Sequence, residues 1–272
     1  MQKPIETINY EAILNKDTHE VDKLRKACRP PPIDKGIFYL DLTGPSGKQV
    51  LLDLPKIDQG ILSYFGQPAD TKMKDYREGV ERGFKHPGEV IETFEINRIE
   101  MLEAPRDLPW GFQSCKDEIA SMLDSGHHIT KTLLEALDVS PDLAPGSRRP
   151  VRLGPQAIPP GWRHRPGSRP KRDGGAAHRH GPPDAAVVRR ALPRAPRGEG
   201  KEGDGGMTWA TVEPMEGCVV VHVGDAFQEA SGSALLAPIH RVVQPESPPP
   251  GGTPMVVYFL RPQHPIYESS PK

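Results

Sequence analysis

Cysteine is scarce, with three residues in a chain of 272. Cys28, Cys115 and Cys218 are odd in number and far apart, which excludes a disulfide framework and any close-spaced zinc or redox pair. Reduced thiols are the reading. Long apolar runs are missing too: nothing approaches the roughly 18 residues of a membrane span. Met1 to Leu14 lacks a basic segment followed by a continuous apolar core, so no signal peptide is read there. These absences predict a soluble, cytoplasmic protein with no membrane partner.

Net charge is also nearly absent, at −1, but the balance conceals a block. Residues 148–200 hold thirteen Arg or Lys against three Asp or Glu, so the flanks are correspondingly acidic. Between Ser147 and Arg197 there is no Phe, Tyr, Thr, Asn or Met, and Arg, Pro, Gly and Ala replace them. No window in that stretch carries a strand or helix period, and proline recurs too often for a sheet interior. Such a composition buries too little apolar surface to offset its ordering entropy. It predicts a disordered Arg/Pro/Gly-rich insert at 148–200, between an N-terminal region at 1–147 and a C-terminal region at 201–272.

The flanks read as a packed protein, long enough for one large core. Ile5, Ile8 and Tyr10 suggest a short strand, and Glu11 to Cys28 a helix stopped by Pro30-Pro31-Pro32. Gly36 to Leu42 reads as a buried strand, Leu54 to Phe65 as a helix, and Glu92 to Ile96 as a second strand. The clearest helix is Lys116 to Leu137, with Ile119, Met122, Leu123, Ile129, Leu133, Leu134 and Leu137 on one face. His127 and His128 lie within it. Adjacent residues on a helix point about 100° apart, so the pair is read as core-edge and solvated rather than as a chelate.

After the insert, Trp209 to Val223 is sheet-like and ends at a Gly224-Asp225 corner. Ser231-Gly232-Ser233 marks a turn, His240-Arg241-Val242 a polar-apolar segment, and Val256-Val257-Tyr258-Phe259-Leu260-Arg261-Pro262 a last strand. A neutral imidazole beside an apolar wall is a common metal ligand.

These four features, in this order across residues 224–262, resemble the C-terminal half of the isopenicillin N synthase-like Fe(II)/2-oxoglutarate-dependent dioxygenases. The opening of helix, Gly36-Ile37-Phe38-Tyr39-Leu40 strand and helix before Gln67-Pro68 resembles the family's N-terminal support layer. The resemblance implies a mainly β fold with α: a double-stranded β-helix, or jelly-roll, core with N-terminal supporting helices. It implies non-haem iron, 2-oxoglutarate as co-substrate, dioxygen and a small-molecule substrate that is hydroxylated, desaturated or cyclised. His240 matches the family's distal iron ligand and is the candidate catalytic and metal residue. His222 is read as structural.

The resemblance also exposes two departures. The family's His-x-Asp pair should fall near residues 178–190, where the chain has His178-Arg179-His180-Gly181-Pro182-Pro183-Asp184. His178 is the candidate second metal ligand there, with His180 and Asp184 as substitutes. Codons that encode Ala177 to Val187, read one base later, can give His-Thr-Asp-Met-Gly-Pro-Leu-Thr-Leu-Leu, which restores the pair. Residues from about 148 to 197 are accordingly read as translated out of frame. The family's Arg-x-Ser, whose guanidinium grips the 2-oxoglutarate carboxylate, aligns with Thr253-Pro254-Met255, which has no cation; Arg241 and Arg261 do not match the motif. Two rivals stand beside an oxygenase: a non-catalytic remnant that binds a partner, and an RNA-binding protein using the basic middle. Trp162 is the one aromatic in that middle, so stacking platforms are few and nucleic acid is the less favoured partner.

Overall fold

The computed structural model describes residues 5–29, 36–78, 82–85, 92–102, 108–139, 150–156, 185–189, 212–238, 240 and 253–260. The chain opens with β1 (Thr7–Asn9), α1 (Tyr10–Leu14) and α2 (Thr18–Cys28). The single helix expected from Glu11 to Cys28 is therefore two. Lys16 takes a left-handed φ of 57° and breaks the helix. Asp17 restarts it, its carboxylate accepting the Glu20 backbone N–H at 2.9 Å. Asn9 caps α1 the same way, on the Ala12 N–H at 2.9 Å.

β2 (Ile37–Asp41) leads into α3 (Lys48–Phe65), which begins six residues before the expected Leu54. Pro55 lies inside it with its ring exposed, so the missing N–H falls on the solvent side and the helix continues through it. α4 (Ala69–Met73), β3 (Gly83–Lys85), β4 (Thr93–Asn97), α5 (Arg98–Leu102) and α6 (Trp110–Gln113) follow, then α7 (Lys116–Ala136). The buried face of α7 comprises Ile119, Met122, Leu123, Gly126, Ile129, Thr130, Leu133 and Leu134, as its periodicity predicts.

The remaining elements are β5 (Pro150–Gln156), β6 (Ala185–Arg189), β7 (Cys218–His222), α8 (Asp225–Ala230) and β8 (Thr253–Leu260). All the named strands join one sheet of order β1-β2-β7-β6-β8-β5-β4-β3. β1 runs parallel to β2, and the other neighbours are antiparallel. Two of these strands lie in the stretch expected to be disordered, and that expectation is corrected for residues 150–156 and 185–189. The reason is tertiary. β4, β7 and β8 offer unpaired backbone edges, and pairing with them satisfies a segment whose own composition carries no period. In the register of this pairing Pro155 stands opposite Pro254. The strand expected from Trp209 is shorter, since Met215 and Gly217 precede it as turn and coil.

α3 and α7 cover one face of this sheet. Gly126 permits the close approach, because a Cβ there would stand 2.9 Å from the Tyr258 ring. Beyond it, Tyr64 stacks on Phe112 at 4.7 Å and meets Phe65 and Phe94 edge-on, each at 5.0 Å. Aromatic burial of this kind dominates the stability of the helical side. A mixed α/β body with its helices drawn mainly from the N-terminal half is as expected. The described strands form one sheet, and the second, facing sheet that completes a jelly roll is not among the described residues.

Candidate metal-binding face

Strand alternation assigns the residues of β7 to two faces. Val219 and Val221 are buried on the side of α7, where Val221, Phe38 and Leu133 line an apolar cavity of about 40 Å³. Alternation turns Val220 and His222 toward the other face, although His222, at the end of the strand, also borders that cavity. Register extends that row across the sheet: His222 pairs with Ile37 on one side and Ala186 on the other, and Ala186 pairs with Phe259.

His240 reaches the same place by a different route. After α8, Gly232 and Ser233 both adopt left-handed φ, 60° and 64°. The Gly232 N–H donates to Glu229 O, and the Ser233 N–H to Gln228 O. This closes the helix in the manner of a Schellman turn and reverses the chain. Gln228 Oε1 then accepts the Ala237 N–H at 2.7 Å, and the Leu236 N–H donates to Cys28 O at 2.9 Å. Gly36 admits the returning segment: its φ is +93°, and a Cβ there would overlap the Leu236 carbonyl oxygen at 1.8 Å. The Ser231-Gly232-Ser233 turn seen in the sequence thus delivers His240 to the end of β7.

The two imidazoles meet there, with ring centroids 4.6 Å apart and planes inclined by 42°. His222 Nδ1 lies 3.3 Å from Val223 O, and His240 Nδ1 lies 3.1 Å from Pro238 O. A nitrogen facing a carbonyl must carry the proton, so in each neutral ring Nε2 holds the lone pair. Burial pushes the His222 pKa down to about 4, and His240 beside it acts in the same direction; Val223 O and Asp225 oppose them. His222 is therefore an uncharged ligand or acceptor at neutral pH. His240 is exposed, whereas the sequence suggested an enclosed ligand, because no described strand covers this face. The sequence reading took His222 as structural; its ring lies beside that of His240. The signal was available: alternation put His222 on the face opposite Val219 and Val221.

Two imidazoles do not make a complete iron site. A facial triad adds a carboxylate, and among the described residues no group of three or more His, Cys, Asp or Glu could hold a metal. His178, His180, Asp184, Arg241 and Arg261 lie outside the described residues. Thr253-Pro254-Met255 begins β8 with Met255 buried, so the described part of this strand presents no cation to a dicarboxylate. His127, as expected, stands at the core edge, its Nδ1 3.3 Å from the Tyr258 hydroxyl, while His128 is exposed. No helix among the described residues is long and apolar enough to cross a membrane.

No protein-family model matches the chain. Among curated proteins, it is 22% identical over 272 residues to the 2-oxoglutarate-dependent dioxygenase frbH of Dothideomycetidae sp., covering 94% of this chain and 81% of that protein. It is 24% identical over 284 residues to the 2-oxoglutarate-dependent dioxygenase gloE of Glarea lozoyensis, covering 95% and 80%. Among solved structures, full-length Neurospora crassa T7H in complex with alpha-KG superposes with a TM-score of 0.63 at 16% identity, covering 97% of this chain and 89% of that one. The resemblance to the 2-oxoglutarate-dependent dioxygenases, stated above from motifs at the two ends, thus extends along nearly the whole chain.

Proposed function

We propose that this relative of the 2-oxoglutarate-dependent dioxygenases is a non-haem iron oxidoreductase acting on a small organic molecule. The observation that carries the reading is the meeting of the His222 and His240 imidazoles at the end of a strand whose Gly-Asp corner and returning turn follow the family's order. His240 is the iron anchor. Bound iron would supply, with 2-oxoglutarate and dioxygen, the oxidation of a substrate C–H bond. The chain's own part is to hold that ligand: the Gln228 amide and the Gly232-Ser233 turn fix the backbone leading to His240, and the Pro238 carbonyl sets its tautomer.

The missing His-x-Asp is explained by the reading frame. The chain enters the sheet again at Ala185, beyond the codons of Ala177 to His180 that yield His-Thr-Asp when shifted by one base. A basic RNA-binding middle has no comparable support. The test is Fe(II)- and 2-oxoglutarate-dependent succinate formation by the chain as written and by a version with residues 148–197 decoded in the shifted frame. The restored version is expected to form succinate faster. Equal rates would overturn the frame reading, and no succinate from either would overturn the oxygenase. The transcript beneath residues 140–205 offers an independent check.

A further inference from the structure

We propose that His222 and His240 together form a two-imidazole chelate for a borderline first-row divalent cation, one that needs no ligand from residues 148–197. The inference deepens the reading of His240 as a metal anchor by assigning a second protein ligand that the family motif does not supply.

Geometry carries it. Two imidazoles bound cis to one ion, at about 2.1 Å per bond, place their ring centroids roughly 4.5–5 Å apart; His222 and His240 stand at 4.6 Å. Their planes are inclined at 42°, away from parallel stacking, so the rings are not simply packed face to face. Both Nδ1 atoms face backbone carbonyls, which leaves an Nε2 lone pair on each ring and fixes the tautomer that ligation requires. The supports differ in kind: His222 is held by β-ladder pairing to Ile37 and Ala186, and His240 by the turn after α8. A ligand pair on two independently braced segments is preorganised, so little ordering remains for the metal to impose. Two imidazoles without thiolate or multiple carboxylates favour Ni(II), Cu(II) or Zn(II) over Mg(II) or Ca(II). The remaining coordination positions would be filled by water or by a carboxylate-bearing small molecule.

Ni(II) is the probe, titrated calorimetrically into the chelator-stripped full chain and into the His222→Gln and His240→Gln variants. Cu(II) electron paramagnetic resonance reports the number of bound imidazole nitrogens. The expected result is one Ni(II) site per chain, weakened on the order of 100-fold by either substitution, with the Cu(II) nitrogen splitting reduced from a two-imidazole to a one-imidazole pattern. His222→Asn, a smaller amide, guards against a packing defect, and circular dichroism checks that each variant is folded. Retention of wild-type affinity and splitting in folded His222→Gln and His222→Asn, with loss in His240→Gln, would overturn the chelate and leave the His240 anchor standing. Binding indifferent to both residues would overturn the two together.

Discussion

Among the described residues one face of the sheet is covered by helices and the other is open, and the two were written into the chain in different ways. Under α3 and α7, Phe38, Leu40, Val219, Val221, Val256 and Tyr258 are buried, and the packing is fixed by helices with regular apolar spacing. On the opposite face stand the exposed His240 and the part-buried His222, brought together by a ladder and a turn. Buried apolar packing is concentrated on the first face, and the metal site proposed above lies on the second. Substitutions on one should therefore leave the other's property nearly untouched, which several experiments can break or sharpen.

The largest effect is expected from Tyr64→Ala. Tyr64 is 1% exposed and touches four aromatic rings, and its hydroxyl donates to Asp75 at 3.0 Å. Its removal should destabilise the fold by about 3–5 kcal/mol in urea unfolding, while Ni(II) affinity in the remaining folded protein stays within a few-fold of wild type. Gly126→Val comes next. The new Cβ would push the Tyr258 ring away from α7, at a cost of about 1–3 kcal/mol. If that change also abolished metal binding, the two faces would be coupled through β8 and the separation drawn here would fail.

Asp17→Ala removes the cap of α2 and should lower stability by about 1 kcal/mol, read from the same unfolding curves. A pH dependence is the smallest effect. Burial, reinforced by Arg98 and Lys131, pushes His127 down to about 4, so the folded state holds it neutral. The unfolded chain takes up that proton below about pH 6.5. The contribution is thus complete above pH 6.5 and is lost as pH falls toward 4. Solvent screening of this half-buried ring keeps it near or below about 1 kcal/mol. Comparing urea midpoints at pH 7 and pH 5 for wild type and His127→Asn should show a shallower fall in the variant.

The helix-covered face was the legible one. The apolar spacing of Lys116 to Leu137 gave α7 and its buried side nearly residue by residue, because a 3.6-residue period is a local property. α3 was read six residues short because Pro55 looks like a boundary, although its ring points to solvent. α2 was merged with α1, since a left-handed Lys16 leaves no mark in hydropathy. β5 and β6 were missed for a deeper reason: their pairing is specified by β4, β7 and β8, and no window of residues 148–200 contains that information. On the open face, motif order singled out His240. His222 escaped because a histidine ending a valine-rich strand resembles ordinary packing until its neighbour across the turn is known.

The most direct measurement is an anaerobic Fe(II) titration of the full chain and of His240→Gln, with urea unfolding recorded on both. The account expects Fe(II) binding to wild type, its loss in the variant, and unfolding midpoints that agree closely. Undiminished binding by a folded His240→Gln chain would contradict it, since the metal would then sit somewhere other than the open face.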